Sequence, residues 1–220
     1  EGYVLLIDFS DYFARIGHAH VKDIVASALD DERVVSLAHS LIDAQGETGL
    51  GLGSEPNQIC AVAYPSVIDH YVEEMCGVEA YGRYMDDTYC IHESKDYLQV
   101  VRMLIERKCD ELGIVINPRK TRIVKLTKGF TFLKKRFSYG PNGKIVVRPC
   151  RASITRERRK LKKLAKMYDS GAISRDQIER SYMSWRGSMK KLDARRTVQS
   201  MDALYAELFD PEKRPRGGCH

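Results

Sequence analysis

Tyr3-Val4-Leu5-Leu6-Ile7 is a continuous apolar run of strand length that stops at Asp8, the pattern of a buried β-strand. Tyr81 to Ile91 is aromatic and apolar on both sides of Asp86-Asp87. Asp is depleted in strand interiors and favoured in tight turns, so this segment predicts two strands with the acids at a hairpin tip. Between these β segments, helical spacing over His18 to Ala44 predicts two helices broken near Asp30-Asp31, and a Gly-rich loop from Gly49 to Gln58 precedes a helical stretch from Ile59 to Glu74. A further helix is predicted from about Lys95 to Leu112. Gly140-Pro141-Asn142-Gly143 predicts a hairpin turn, and Arg148-Pro149 a break. Three amphipathic helices follow. Ser153 or Thr155 caps the first, Ser174 with Gln177 forms a capping box for the second, and Asp193 caps the third. Their inward stripes are Ile154, Leu161, Leu164, Ala165 and Tyr168; Ile178, Tyr182, Trp185, Met189 and Leu192; and Val198, Met201, Leu204, Tyr205 and Leu208. Trp185 is therefore read as core, and the fold class as α+β.

An adjacent Asp-Asp pair alone is most often an exposed turn. A third acid changes the picture. Asp8 ends a buried strand, where a carboxylate without a partner is costly, and a strand ending in Asp beside a hairpin carrying Asp-Asp gathers three carboxylates. Like charges that close repel unless a cation or proton lies between them, and Mg²⁺ takes carboxylate oxygens while binding substrate phosphates.

Length and composition suit one substantial core plus a smaller helical unit, with no apolar stretch of membrane-span length and a cytoplasmic placement expected. The six cysteines show no zinc-ligand spacing and read as reduced, packed thiols. Charge is split along the chain. Up to Ile114 there are 8 Lys and Arg against 21 Asp and Glu, and from Val115 onward 28 against 9. The helix after Pro149 carries Arg156, Arg158, Arg159, Lys160, Lys162, Lys163 and Lys166 around its apolar stripe. A cationic surface of this kind is either a solvated face or a grip on a phosphate backbone.

In that order, Asp8-Phe9-Ser10-Asp11-Tyr12-Phe13, the Gly49–Gln58 loop, Tyr84-Met85-Asp86-Asp87, Ile114-Val-Ile-Asn-Pro-Arg-Lys-Thr121 and Gly129-Phe-Thr-Phe-Leu-Lys-Lys-Arg-Phe137 resemble successive motifs of bacterial reverse transcriptases, the group II intron, retron and diversity-generating type. Ser184-Trp-Arg-Gly-Ser188 looks like a degenerate thumb motif of the same enzymes. Two departures concern the subgroup: Lys134 stands where such enzymes usually carry Gly, and Asn57 where Ser is more usual. Members also normally have a fingers region before the first catalytic strand, whereas this chain begins seven residues before Asp8. The resemblance thus implies a fragment or one piece of a split enzyme, with a fingers-bearing chain or segment as a partner.

That resemblance implies a palm over residues 1–147 with part of the fingers inserted at 18–48, a helical thumb over 148–210 and a flexible tail over 211–220. It implies RNA-directed DNA polymerase activity, with Asp8, Asp86 and Asp87 as catalytic residues holding two Mg²⁺ ions, Mn²⁺ being a possible substitute. Lys120 matches a lysine proposed to protonate pyrophosphate, with a plain phosphate contact as its alternative role. Phe9 and Phe13 belong to the substrate pocket, Phe13 as the gate against a ribose 2′-hydroxyl. Gly51, Gly53, Ser54 and Gln58 shape the nucleotide and template site, and Arg156, Arg158, Arg159, Lys162, Lys163 and Lys166 contact nucleic acid. The partners implied are RNA template, DNA primer or RNA–DNA hybrid, and dNTPs. A non-enzymatic, maturase-like RNA-binding module and an RNA-dependent RNA polymerase stay open, although Phe13 argues against the latter.

Overall fold

The computed structural model describes residues 2–210, so the expected tail from Pro211 lies outside the described residues. The chain divides between Lys128 and Gly129 into two compact units. The resemblance implies a division between residues 147 and 148, just before Pro149. That proline instead ends a strand paired along its whole length with its neighbour, which keeps the preceding hairpin with the helices.

The first unit is built on an antiparallel four-stranded sheet. Strand β1 (Tyr3–Asp8) lies inside it, between β3 (Asp87–His92) and β4 (Arg122–Lys125), and β2 (Ala80–Tyr84) forms the other edge beside β3. Val4 to Ile7 are all buried. An unbroken apolar run, rather than alternation, is what a strand covered on both faces requires. Leu5 and Ile7 join a core with Leu98, Val101, Ile105 and Cys109, the stripe of helix α6 (Lys95–Glu111), whose N-terminus is capped by Ser94 Oγ accepting from the Tyr97 amide at 3.2 Å.

Helices α1 (Tyr12–Arg15), α2 (His18–Ala28) and α3 (Glu32–Asp43) follow β1, with the expected break at Leu29–Asp31. The helix expected over Ile59–Glu74 is three pieces: α4 (Glu55–Ala63), α5 (Ser66–His70) and a π-turn over Tyr71–Met75. Pro65 supplies no amide to continue α4, while Pro56 sits in its first turn, where a missing amide costs nothing.

In the second unit, β5 (Phe130–Phe132), β6 (Lys135–Tyr139) and β7 (Ile145–Pro149) form a three-stranded antiparallel sheet. The β5–β6 turn is Leu133-Lys134, with φ of 46° and 62°. Two positive φ angles in a two-residue hairpin favour Gly, so the Gly-to-Lys departure falls at a backbone position that strains any side chain. Helices α7 (Arg151–Asp169), α8 (Arg175–Ser188) and α9 (Arg195–Phe209) come next. Leu161, Ala165, Ile178, Tyr182, Met201 and Phe209 form their core, with Tyr182 stacked on Tyr205 and Trp185 at centroid distances of 4.4 and 5.6 Å.

The capping box of α8 is present, Gln177 and Ser174 each bonding the other's backbone amide. The other two caps are corrections. Helix α7 starts directly after Cys150, and Thr155 Oγ1 donates back to the Arg151 carbonyl within it. Helix α9 starts after Ala194 because Asp193 is taken by β7: its Oδ2 accepts from the Val147 amide at 2.9 Å, and its own amide donates to the Val147 carbonyl at 2.8 Å. Cys90 and Cys109 are buried thiols, each pushed up to about 12 by that burial. Among the described residues no helix is long and apolar enough to cross a membrane.

Candidate active site

Register places Asp8, the last residue of β1, opposite Asp87, the first of β3, with Asp86 next to it in the chain. The Phe9 amide donates to the Asp86 carbonyl at 3.2 Å. On the other side, the Asn117 amide donates to the Asp8 carbonyl at 2.8 Å and the Ser10 amide to the Val115 carbonyl at 2.7 Å. Asn117 Oδ1 also accepts from the amides of Arg119 and Lys120, at 3.1 and 3.3 Å. This Asx turn directs Lys120 back so that Nζ meets Asp8 Oδ1 at 2.8 Å.

The Asp8 side chain is only 12% exposed, whereas that of Lys120 is 65% exposed. The hydrogen bond to Asp8 raises the Lys120 pKa against a smaller opposing effect of desolvation, with the charges of Asp8, Asp87 and Asp86 adding to it. Burial first, and then the charges of Asp86 and Asp8, raise the pKa of Asp87. Asp8 Oδ2 is buried without a hydrogen-bond partner. A donor set of hard carboxylate oxygens, one of them orphaned and one carboxyl raised by burial and then by its like-charged neighbours, fits a divalent cation in its chemistry. As they stand, no three ligating side chains among the described residues are gathered at one point, and Asp8 keeps one oxygen on Lys120.

A carboxyl raised in the fold binds its proton more readily folded than unfolded, so Asp87 costs stability as pH rises through its folded pKa, and that cost vanishes below the unfolded value, about 4. Asp87→Asn is therefore expected to raise the metal-free melting temperature at pH 7, by about 2–4 °C per kcal/mol released, with no gain near pH 3. Thermal melts at the two pH values check it; a gain of equal size at both would mean that ionising Asp87 carries no cost in the fold.

The hairpin tip is a two-residue loop, Met85-Asp86, with Met85 at φ 55°. A non-Gly residue there costs on the order of 1–3 kcal/mol and persists only when its surroundings hold it. Arg83 does so: Nη1 donates to the Met85 carbonyl at 3.1 Å, Nε and Nη2 donate to the two Asp69 oxygens at 2.8 and 2.6 Å, and Nη2 also donates to the Val62 carbonyl at 2.9 Å.

Beside the acids opens a cleft of about 470 Å³ whose lining includes Asp8, Phe9, Phe13, Leu52, Asp86 and Lys120. Phe13, on α1, is half-buried and edge-on to Tyr12, whose hydroxyl donates to the Ala61 carbonyl at 2.6 Å. The Gly-rich loop is docked on this segment, with the Gly49 amide on the Ile16 carbonyl and the Leu50 amide on the Phe13 carbonyl. At Gly49, φ is 86° and a Cβ would lie 2.9 Å from the Ala14 carbonyl oxygen, so only Gly permits the approach.

Gly51, Gly53, Ser54 and Gln58 lie outside the lining of the cleft, as does Asp87. Gly51 is tied to Gln45 and Asn57, Gly53 makes the turn at φ 94°, Ser54 precedes α4, and Gln58 is exposed on that helix. Leu52, between the two glycines, is the loop residue that reaches the cleft. The departure at Asn57 has a structural use, since its Nδ2 donates to Gln45 Oε1 at 2.8 Å and to the Gly51 carbonyl at 2.9 Å. Arg156, Arg158, Arg159, Lys162, Lys163 and Lys166 are all exposed on α7 in the second unit, with Arg158 Nη2 donating to Ser200 Oγ at 3.0 Å. Sequence reasoning missed Arg83, Asp69, Asn117 and Leu52. An Asn-Pro preceding Arg119-Lys120 was a turn signal for Asn117, but Asp69 carried none.

Among solved structures, apo telomerase from Candida tropicalis, truncated from its C-terminal domain, superposes with a TM-score of 0.54 over 66% of this chain and 35% of that one, at 17% identity. Telomerase from Candida albicans in complex with the TWJ fragment of telomeric RNA superposes with a TM-score of 0.54 over 94% of this chain and 40% of that one, at 13% identity. The chain shares the fold of these parts of the telomerases. At such identities the likeness carries the fold alone, and the chain spans well under half the length of these telomerases. No family model matches the chain. No curated protein matches it either.

Proposed function

We propose that this chain is the catalytic portion of an RNA-directed DNA polymerase, extending a primer 3′-hydroxyl with dNTPs along an RNA template. The observation that carries the reading is the pairing of Asp8 with Asp87, beside Asp86 at a two-residue turn, on the edge of a cleft that Phe13 and Lys120 also line. The fold shared with parts of the telomerases supports it. In this reading residues 1–128 act as the palm and the helices of the second unit as the thumb.

Asp8, Asp86 and Asp87 would hold Mg²⁺, or Mn²⁺ in its place. Two such ions, when bound, supply a lowered pKa for the attacking hydroxyl and compensation for the charge of the triphosphate. The orphaned Asp8 Oδ2 offers an acceptor for this purpose. Lys120, kept protonated by its acidic neighbours, carries a proton at Nζ that it can give to the leaving pyrophosphate. The Phe13 ring meets the sugar and turns away a 2′-hydroxyl, and the cationic face of α7 follows the phosphate backbone of the hybrid. The structures compared are telomerases from two Candida species, so a bacterial retroelement lineage rests on the sequence motifs alone.

The Asp8–Lys120 ion pair favours a second reading, an RNA-binding module without catalysis, because Lys120 already satisfies one Asp8 oxygen. Primer extension on an RNA template with Mg²⁺ and dNTPs separates the two. Binding of the hybrid with no extension at any divalent-ion concentration would favour the second. Under the polymerase reading, Phe13→Ala is expected to raise ribonucleotide over deoxyribonucleotide incorporation by roughly 10–200-fold, the discrimination a pocket obtains from steric contact. Single-nucleotide incorporation rates check it, and an unchanged ratio would place the gate at another residue.

A further inference from the structure

The side chain of Arg83 is 7% exposed, yet it serves three separate parts of the first unit: the Asp69 carboxylate on α5, the Val62 carbonyl on α4 and the Met85 carbonyl in the acid turn. Asp69 is held in turn by the Tyr81 hydroxyl, which donates to its Oδ1 at 2.5 Å. A bidentate pair with Asp69 would by itself satisfy a buried guanidinium's charge. Of the donors left over, one on Nη2 meets the Val62 carbonyl and one on Nη1 goes to the one residue of the hairpin tip that has a positive φ.

We propose that Arg83, braced by Asp69, is a positioning residue that holds Met85 in its left-handed conformation and so fixes Asp86 and Asp87 opposite Asp8. The inference rests on the reading of those three acids as a divalent-ion site. A guanidinium suits the task because its planar fork can grip a carboxylate with two donors while a third points elsewhere; a lysine ammonium has no such geometry. Partners that orient metal-binding carboxylates typically change metal affinity or activity by about 10–100-fold when removed.

The test uses the 220-residue chain and Mn²⁺ alone, with bound ion measured by electron paramagnetic resonance and folding by near-ultraviolet circular dichroism. Wild type should bind Mn²⁺, Asp86→Asn should lose it, and Arg83→Lys should bind about 10-fold more weakly or worse. Adding Met85→Gly to Arg83→Lys should recover most of that affinity, because Gly adopts a positive φ without the side-chain clash. A purely structural ion pair would not be rescued in this way. Wild-type affinity in Arg83→Lys, or no recovery in the double variant, overturns the proposal. If Arg83→Lys does not fold, Asp69→Asn decides: weaker Mn²⁺ binding supports the brace, and unchanged binding removes it. Absence of Mn²⁺ binding by wild type, or equal binding by Asp86→Asn, overturns the ion site and the positioning role together. The expected binding pattern without primer extension by wild type would uphold the positioning role while refuting the polymerase reading.

Discussion

Asp86→Asn, and Asp8→Asn as a separate variant, are each expected to abolish primer extension while binding of an RNA–DNA hybrid is kept. Either change removes a carboxylate charge from the acid cluster but no basic contact, and the near-isosteric amide preserves the turn. Divalent ions contribute several kcal/mol to stabilising charge at a reacting phosphate, so a loss of roughly 10³-fold or more is expected. The two variants differ in one respect. Asp8→Asn also releases Lys120 from its ion pair, so hybrid affinity should rise slightly in that variant alone. Gel-based extension with fluorescence anisotropy for binding measures both. Full extension by either variant, in a preparation free of wild type, would sink the assignment of these acids.

Replacing Arg158, Arg159, Lys162 and Lys163 together with Gln should flatten the dependence of hybrid affinity on salt by up to about 3.6 in logarithmic slope, at roughly 0.9 per phosphate contact on a B-DNA scale. These residues are exposed, and the buried stripe of α7, which includes Leu161 and Ala165, is untouched. Helix content should therefore hold, apart from the local loss of the Arg158–Ser200 hydrogen bond. Titrations at several salt concentrations, alongside circular dichroism, read the result. An unaltered slope in the folded variant would make this face a solvated one and move the grip on nucleic acid to another part of the chain.

What could be read from the sequence was what depended on local pattern. The run from Tyr3 to Ile7 and the acids between two apolar stretches identified β1 and the β2–β3 hairpin, and α6 ends one residue before the expected limit at Leu112. The capping box at Ser174 was legible because both of its partners lie within four residues. Asp193 was misread because its use is settled by β7, 46 residues away in the chain, and nothing local distinguishes an Asp that caps a helix from one recruited by a strand. The same divide runs through the site. The three acids carried a pattern, but the contact of Lys120 with Asp8 spans 112 residues. Arg83 and Asp69 have no shared periodicity, and the loop's glycines drew attention while Leu52 between them faces the cleft. Side chains defined by partners from distant elements have no signature in a single sequence.

Strand β1 lies between two strands that the chain reaches much later: Asp8 faces Asp87, and Tyr3 faces Lys125. The β2–β3 hairpin closes on nearby residues, whereas β1 pairs in this sheet with β3 and β4, both far along the chain, and the long loop to be closed makes this a slow step. During synthesis at about 5–20 residues per second, the β3 partner of Val4 to Ile7 is made only roughly 4–16 s after them. An apolar β-forming run that is exposed before its partners are made is a site for intermolecular pairing, and an acid at its end is the kind of residue that discourages it. Asp8 thus puts a charge at the end of that run, and it precedes Asp86 and Asp87 in the chain, so it is in place before the other two carboxylates of the cluster are made.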